Sequence, residues 1–332
     1  MKFESSRKRR LGVSLSAALL VLLASCGGGE LVSEFQPQRI VAFGDQASVI
    51  TQQDAIDPVT QQPYAASGQK FSVNALDATS GALACQGNPN WVQYLAQSFG
   101  LPFPQCNPDN ANAPSIDRAA NGAKVADLVA QVDAQLAGDG FSAKDLVTVL
   151  VGANDILEQY ALYPGQDENA LSVTLEQRGT LLAEQVNRIA AAGGKVIVTT
   201  VPDQGLTPFA LAEQAAHDAS DDRAALLSRL SARLNAKLRV GLLNQSGRSV
   251  GLVLGDELVQ TYVRFPSLGG FVDVTSAACT AALPGCTTAT LVDGAKAAGG
   301  ASYLWADARE LGPTGQRLLG EAANTRARNN PF

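Results

Sequence analysis

Short apolar runs alternate with longer amphipathic segments along most of the chain. A continuous run rich in β-branched residues, such as 146–151, is typical of a strand buried on both faces. Apolar residues spaced three and four apart, as in 124–136, predict a helix with one buried face. The pattern predicts strands at 39–44, 146–151, 195–200 and 250–254, and helices at 124–136, 175–192 and 223–243, with further helices that begin at Asn90 and after Pro313.

This order of elements predicts an α/β fold. Strands buried on both faces that alternate with helices form a mostly parallel central sheet covered on each side, a three-layer α/β/α architecture. No internal stretch has a pattern of its own, so we expect one domain over residues 38–330 of the 332. Ligand sites of such sheets lie beyond the carboxyl ends of the strands, and the residues that follow each strand are therefore the candidate site.

The N-terminus has the three parts of a signal peptide. Basic residues end at Arg10, an apolar run covers 11–23, and small residues precede Cys26. The Leu-Ala-Ser-Cys sequence that ends at Cys26 resembles a bacterial lipobox, in which this cysteine becomes the lipidated first residue of the mature protein. We expect a signal peptide at 1–25, a flexible tether at 26–37, and an exported protein anchored to the outer membrane, on its periplasmic face or at the cell surface. The alternative is ordinary cleavage that leaves Cys26 as a thiol.

The charge of the chain argues against a nucleic-acid partner. The first 25 residues carry five Lys or Arg and one Glu, so the remainder has 20 basic and 30 acidic residues and a net charge of −10. Phosphate binding needs clustered Lys and Arg, which an acidic chain with only 17% charged residues does not supply.

Four further cysteines predict disulfides, because their number is even and the protein is predicted to be exported. Four cysteines can form two disulfides in three ways, and all three are open from the sequence. We favour the arrangement in which each disulfide closes a loop between regular elements. Neither a metal site nor a cofactor is implied, since no cysteine has a second ligand at metal-binding spacing. The favoured pairs are Cys85–Cys106 and Cys279–Cys286.

Four segments at or after predicted strand ends carry most of the candidate chemistry. Together and in this order, they resemble the conserved blocks of the SGNH (GDSL-type) hydrolases, which implies a flavodoxin-like three-layer fold. The four segments are 44–46 (Gly-Asp-Gln), 121–123 (Asn-Gly-Ala), 152–155 (Gly-Ala-Asn-Asp) and 303–310, which ends in Asp-Ala-Arg-Glu.

The resemblance also implies the roles of these residues. In catalytically active members of the family, a serine after the first strand attacks an ester and a histidine takes its proton. An aspartate three residues before the histidine orients it. The oxyanion is held by backbone N–H groups and an asparagine side chain. In this chain Asp307 has the aspartate position, and Gly122 and Asn154 have the oxyanion positions.

The reacting residues depart from the family pattern. Gln46 occupies the serine position and Glu310 the histidine position. A carboxamide is not a nucleophile, and a carboxylate with a reference pKa near 4.3 is a poor base at neutral pH. The Gln46 amide can instead donate to Glu310, which replaces the catalytic hydrogen bond with a static one. We therefore interpret the protein as a pseudoenzyme that binds an acyl, acetylated-sugar or other carboxyl-type ligand, or acts as a scaffold.

Several alternatives stay open at this stage. Ser48 is a candidate surrogate nucleophile for a genuine ester hydrolase, although it is also placed to cap or occupy a first helical turn. Asp45, Asp307 and Glu310 are candidates for glycoside chemistry or, with Asn154, for a hard cation. The single histidine, His217, lies in a polar stretch predicted to be helical, and we interpret it as a solvated surface residue.

Overall fold

A parallel five-stranded sheet forms the centre of the computed structural model, which describes residues 34–107, 109, 112–218, 220–242 and 249–329. Its spatial order is β2-β1-β3-β4-β5, and a separate pair of parallel strands, β6 and β7, lies outside it. The strands are β1 (Arg39–Gly44), β2 (Ile116–Asp117), β3 (Asp145–Leu150), β4 (Lys195–Thr199), β5 (Val250–Val253), β6 (Asp273–Ala277) and β7 (Tyr303–Trp305).

Nine α-helices connect these strands within the described residues. Asn90 caps the first of them through a hydrogen bond from the Gln93 backbone N–H, as its residue type predicts. The helices are α1 (Trp91–Phe99), α2 (Val125–Ala137), α3 (Ala153–Tyr160), α4 (Glu168–Ala191), α5 (Pro208–Ala215), α6 (Arg223–Gly241), α7 (Gly255–Arg264), α8 (Asp293–Lys296) and α9 (Pro313–Asn329).

Helices cover both faces of the central sheet. Along β1, Val41 and Phe43 join an apolar cluster with α2, α4 and α6. The alternating residues Ile40 and Ala42 join a second cluster, with α1 and α9. The period-two alternation of a strand thus divides one apolar run between two cores, and the predicted three-layer α/β/α fold is confirmed.

The predicted strands and long helices are confirmed, with ends that agree within two residues except at α4, which begins seven residues before the predicted position 175. The missed elements are short (β2, α3, α5, α7, α8) or carry little hydrophobic pattern (β6, β7). Two local predictions are wrong. Helix α5 ends at Ala215, so His217 follows the helix instead of lying within it. Ser48 lies in a turn stabilised by a backbone hydrogen bond from its N–H to Asp45 O, and no helix is present between β1 and α1.

Both favoured disulfides are present, and each closes a loop outside the central sheet. Cys85 pairs with Cys106 and Cys279 with Cys286. Buried Cys286 belongs to a third, small apolar cluster with Val73 and Ala306. These crosslinks therefore stabilise the insertions around the sheet.

The predicted signal peptide and Cys26 lie outside the described residues, as does the tether up to residue 33. Within the part of the chain that the structure does describe, no helix combines the length and the apolar character needed to cross a bilayer.

The end of β1 depends on Gly44. Its φ is +130°, and a Cβ placed there would lie 1.9 Å from the Leu150 carbonyl oxygen of the neighbouring strand. Both polar atoms of the Gln131 carboxamide bind Gly44. Nε2 donates to Gly44 O (3.0 Å), and Oε1 accepts from Gly44 N (2.9 Å). Only glycine permits this close approach.

We expect Gly44→Ala to lower the free energy of unfolding by at least about 3 kcal/mol, because it adds a steric clash with backbone to an unfavourable φ. Gly100→Ala is the matched control, since Gly100 has a φ of +68° and open space where its Cβ would lie. The control should lose only about 1 kcal/mol. Urea unfolding followed by circular dichroism measures both, and equal losses would contradict the steric explanation.

Candidate active site

The candidate site lies where the loops after β1 and β3 meet. These strands are hydrogen bonded to each other, with Gly44 in register with Leu150. In the order β2-β1-β3, β2 lies on one side of β1 and β3 on the other, so the strand order reverses at β1. Such a topological switch point is the preferred ligand site of open α/β sheets. The backbone N–H of Asp45 donates to Leu150 O (3.1 Å), which continues the ladder to the residue before Gln46.

The Gln46 carboxamide is held at both ends. Its Oε1 accepts hydrogen bonds from the backbone N–H of Gly122 (3.1 Å) and from Asn154 Nδ2 (2.9 Å). Its Nε2 donates to Glu310 Oε1 (2.8 Å), the hydrogen bond expected from the sequence. With 5% of its surface exposed, Gln46 is a buried side chain whose polar atoms are satisfied.

Gly122 and Asn154 are positioned by their own neighbours. Gly122 has a φ of +75°, and the Val59 side chain packs where its Cβ would be. Asn154, in the first turn of α3, donates a second hydrogen bond from Nδ2 to Ala123 O (2.9 Å). The two donors therefore converge on one point, which the Gln46 carbonyl oxygen occupies.

Asp307 organises the backbone that presents Glu310. Its Oδ1 accepts from the backbone N–H groups of Arg309 (2.8 Å) and Glu310 (2.7 Å). This differs from the role that the resemblance implies, in which the aspartate binds the side chain of the base. Asp307 here fixes a turn, and the turn directs the Glu310 side chain toward Gln46.

Burial shifts the titration of Glu310. Loss of solvation raises its pKa to about 7, and the charge of Asp307 adds to the increase, whereas the hydrogen bond from Gln46 and the charge of Arg309 oppose it. Glu310 in the folded chain is therefore a stronger base than a solvated glutamate, whose pKa is near 4.3. In the folded chain it changes protonation near neutral pH.

Asp45 has a structural position behind Gln46. Its Oδ1 accepts from the Ala47 backbone N–H (3.1 Å), and only 1% of its surface is exposed. Burial, and secondly the charge of Glu310, raises the pKa of Asp45 well above its usual range. The two buried carboxyl groups therefore disfavour each other's ionisation.

Ser48 faces the interior of the protein. It has no exposed surface, and its Oγ accepts a hydrogen bond from Trp91 Nε1 (3.1 Å). His217 is exposed, and its Nδ1 lies 2.8 Å from Glu213 O. The structure therefore does not bring these two candidates together with Gln46.

Little free space surrounds the Gln46 carboxamide. The pocket beside it has a volume of about 30 Å³ and is lined by Gln46, Glu310, Leu150, Pro202 and Gln316, among others. This space holds one or two water molecules. Among the described residues, no cluster of three or more His, Cys, Asp or Glu side chains could hold a metal ion.

Two supporting contacts were not predicted from the sequence. Gln131 binds Gly44, and Asn121 Nδ2 donates to Asp57 Oδ2 (2.8 Å) directly beside Gly122. The first contact left one sign in the sequence, since Gln131 is a polar residue within the amphipathic helix predicted at 124–136. Nothing in the sequence pattern pairs Asp57 with Asn121, because 64 residues separate them.

The fold and the site together define a class of protein: a doubly wound α/β protein in which two hydrogen-bond donors converge at the switch point of the sheet. The family model described as GDSL-like lipase/acylhydrolase matches residues 40–321. The chain belongs to this family, which confirms the resemblance recognised in its sequence. No curated protein sequence is significantly similar to it.

Solved structures of low sequence identity are similar over most of the chain. An acetylxylan esterase from Geobacillus stearothermophilus is 12% identical with a TM-score of 0.45, over 90% of this chain and 97% of the other. A member of the lipolytic G-D-S-L family from Veillonella parvula is 12% identical with a TM-score of 0.40, over 86% and 95%.

The raised pKa of Glu310 predicts a pH dependence of stability. Between about pH 4.5 and 7 the folded chain keeps the Glu310 proton that the unfolded chain has lost. The folded state therefore binds more protons, and this contribution to stability falls as the pH rises through that range.

In the unmodified protein, Glu310 should lower the unfolding free energy by up to about 3 kcal/mol between these two pH values. We expect Glu310→Gln to lack this decrease. The substitution keeps an acceptor for Gln46 and removes the titration. Urea unfolding at a series of pH values measures the difference. Glu184→Gln, at an exposed position on α4, is the matched control and should leave the pH profile unchanged. A Glu310→Gln profile identical to that of the unmodified protein would show that Glu310 does not titrate in this range.

Proposed function

We propose that this protein is a cell-envelope lipoprotein of the GDSL-like family whose hydrolytic site is silenced, and that it acts as a binding or scaffold protein. The observation that supports the proposal is the position of the Gln46 carboxamide. Its oxygen accepts from Gly122 and Asn154, the two groups that would stabilise an oxyanion, and its nitrogen donates to Glu310.

An ester substrate would have to displace Gln46 to reach these donors. Displacement breaks four hydrogen bonds in a buried site, the fourth being a longer one from Gln46 Nε2 to Asn154 Oδ1 (3.5 Å). Each buried group that is then left unpaired costs about 1–3 kcal/mol. The adjoining pocket is small, at about 30 Å³, and Gln46 and Glu310 both line it. The side chain therefore occupies the position where a reacting carbonyl would bind.

Glu310 alone does not supply the missing chemistry. With a pKa of about 7 it can accept a proton at neutral pH. The group it contacts is an amide, which neither attacks a carbonyl nor releases a proton under these conditions. A base without a nucleophile in reach does not start acyl transfer.

An ester hydrolase is the second candidate, and membership of the GDSL-like family favours it. It requires a surrogate nucleophile such as Ser48. The buried Ser48 hydroxyl is engaged with Trp91, so that reaction needs a rearrangement of the turn after β1.

Turnover of p-nitrophenyl acetate tests the proposal. We expect protein that begins after residue 25 to hydrolyse this ester no faster than buffer. Gln46→Ser/Glu310→His should increase turnover by at least about 100-fold, because it supplies a nucleophile and a base and frees the oxyanion donors. Glu310→His alone is the matched control and should stay inactive, since Gln46 still occupies the site.

A fluorophosphonate probe gives an independent measurement. It should label the double variant at the introduced serine and leave the unmodified protein unlabelled. Turnover by the unmodified protein that disappears in Ser48→Ala would instead establish the second candidate and overturn the silencing.

The lipoprotein part of the proposal is tested at Cys26. We expect the full precursor, expressed in a Gram-negative host, to fractionate with the outer membrane and to show the mass of a lipidated N-terminal cysteine. Cys26→Ser should abolish both properties, because the acyl chains that hold the protein at the bilayer are then missing. Mature protein with a free Cys26 thiol in the aqueous fraction would contradict the anchor.

A further inference from the structure

Two similar hairpins occupy the insertion between β1 and α1. The first covers 55–65 and the second 75–85, and each begins with an Ala, an Ile or Leu, and an Asp. In both hairpins the Asp backbone N–H donates across the turn and its side-chain oxygen accepts from the backbone two and three residues later. The insertion therefore contains the same turn twice.

Only the first hairpin is connected to the candidate site through its aspartate. Asp57 Oδ2 accepts from Asn121 Nδ2 (2.8 Å), beside the Gly122 donor, and the Val59 side chain packs against Gly122. The corresponding Asp77 is exposed and bonds only residues of its own turn among those the structure describes. The first hairpin is thus fixed to the rim of the site.

Two cavities flank this first hairpin, and Tyr64 lines both of them. One cavity, of about 180 Å³, lies between the hairpin and residues 117–120. The other, of about 210 Å³, is bordered by the hairpin, Asn121 and residues 283–285. Half-buried Tyr64, whose hydroxyl is hydrogen bonded to Asp57, is the lining residue that the two cavities share.

Each cavity is lined by carboxamides that have no partner among the described residues. Gln52 and Gln105 border the first, and Gln62 and Gln69 border the second. In the described part of the chain no hydrogen bond involves any of these four side-chain amides, and Gln105 Oε1 is shielded from solvent without a donor. The amides of Gln52, Gln62 and Gln69 can therefore both donate to and accept from a ligand beside Tyr64, whereas the buried Gln105 Oε1 is out of reach of solvent.

The lining also indicates the charge of a ligand. Neither cavity has a Lys, Arg or His among its described lining residues, while Asp117 and Asp57 contribute carboxyl groups. Anionic ligands are disfavoured by this arrangement. Hydroxyl groups suit it, because they are uncharged, donate to amide oxygens and accept from amide N–H groups.

We propose that the two cavities on either side of Tyr64 form a binding site for a neutral oligosaccharide, with neighbouring sugar units on opposite sides of the ring. The aromatic face and the adjacent prolines contact the C–H faces of the sugars, and the glutamine amides bind their hydroxyls. This inference rests on the proposed binding role and gives its ligand class, but it does not depend on the silencing of Gln46.

Calorimetric titration with neutral hexasaccharides tests the site. The probes are cellohexaose, xylohexaose, mannohexaose and chitohexaose, with hexagalacturonate as an anionic comparison. We expect at least one neutral probe to bind with a Kd of about 1 mM or tighter and the anionic probe to bind at least 10-fold more weakly. Absence of binding by all four neutral probes at millimolar concentrations, or equal binding of hexagalacturonate, overturns the proposal.

Variants locate the binding and separate it from a general effect on folding. Tyr64→Ala should weaken binding at least about 10-fold, whereas Tyr64→Phe, which keeps the ring, should stay within about 3-fold. Gln62→Ala/Gln69→Ala should also weaken it. Gln53→Ala is the matched control, because this exposed glutamine lines neither cavity, and it should not change the Kd. Binding that is unaffected by Tyr64→Ala contradicts the assignment.

The two proposals fail in different ways. If the protein binds none of the saccharides but gains ester turnover with Gln46→Ser/Glu310→His, only the saccharide site is refuted. If it binds a saccharide through Tyr64 and also hydrolyses p-nitrophenyl acetate in its unmodified form, only the silencing is refuted.

Discussion

The parallel pairing of β1 with β3 is the constraint on which the rest of the site depends. It ends both strands at one level, with Gly44 beside Leu150, and the next backbone hydrogen bond from Asp45 N to Leu150 O carries that alignment into the loop. Gln46 then lies opposite the loop that contains Asn154. A shift in this register would turn side chains to the other face and separate the two loops.

The sequence predicts the sheet and the long helices because these elements have regular hydrophobic patterns. It also predicts which loop residues meet, since parallel strands end on one side of the sheet and the blocks occur in family order. The Gln46–Glu310 hydrogen bond could be expected because an amide and a carboxylate are complementary in hydrogen bonding. Glu310 shows what could not be predicted, since a shifted pKa depends on burial, and burial is a property of the folded chain.

Other features escaped prediction for similar physical reasons. The role of Asp307 in ordering a turn depends on backbone N–H directions that no residue pattern specifies. Strand β2 has two residues, too few for a periodic signal. The contact between Asp57 and Asn121 joins an insertion to the site and has no counterpart in local pattern. The sequence thus predicts elements with repeated patterns better than single long-range contacts.

The way in which Gln46 is satisfied has an evolutionary consequence. A change at position 46 alone places a hydroxyl beside a carboxylate, and a change at position 310 alone leaves the carboxamide bound to Gly122 and Asn154. Under the proposed silencing, a change at position 310 therefore has no effect on the occupied oxyanion donors until position 46 has also changed. The change at position 46 in turn gives up buried hydrogen bonds to Gly122, Asn154 and Glu310, so the order in which the two positions change determines whether stability is lost before activity is regained.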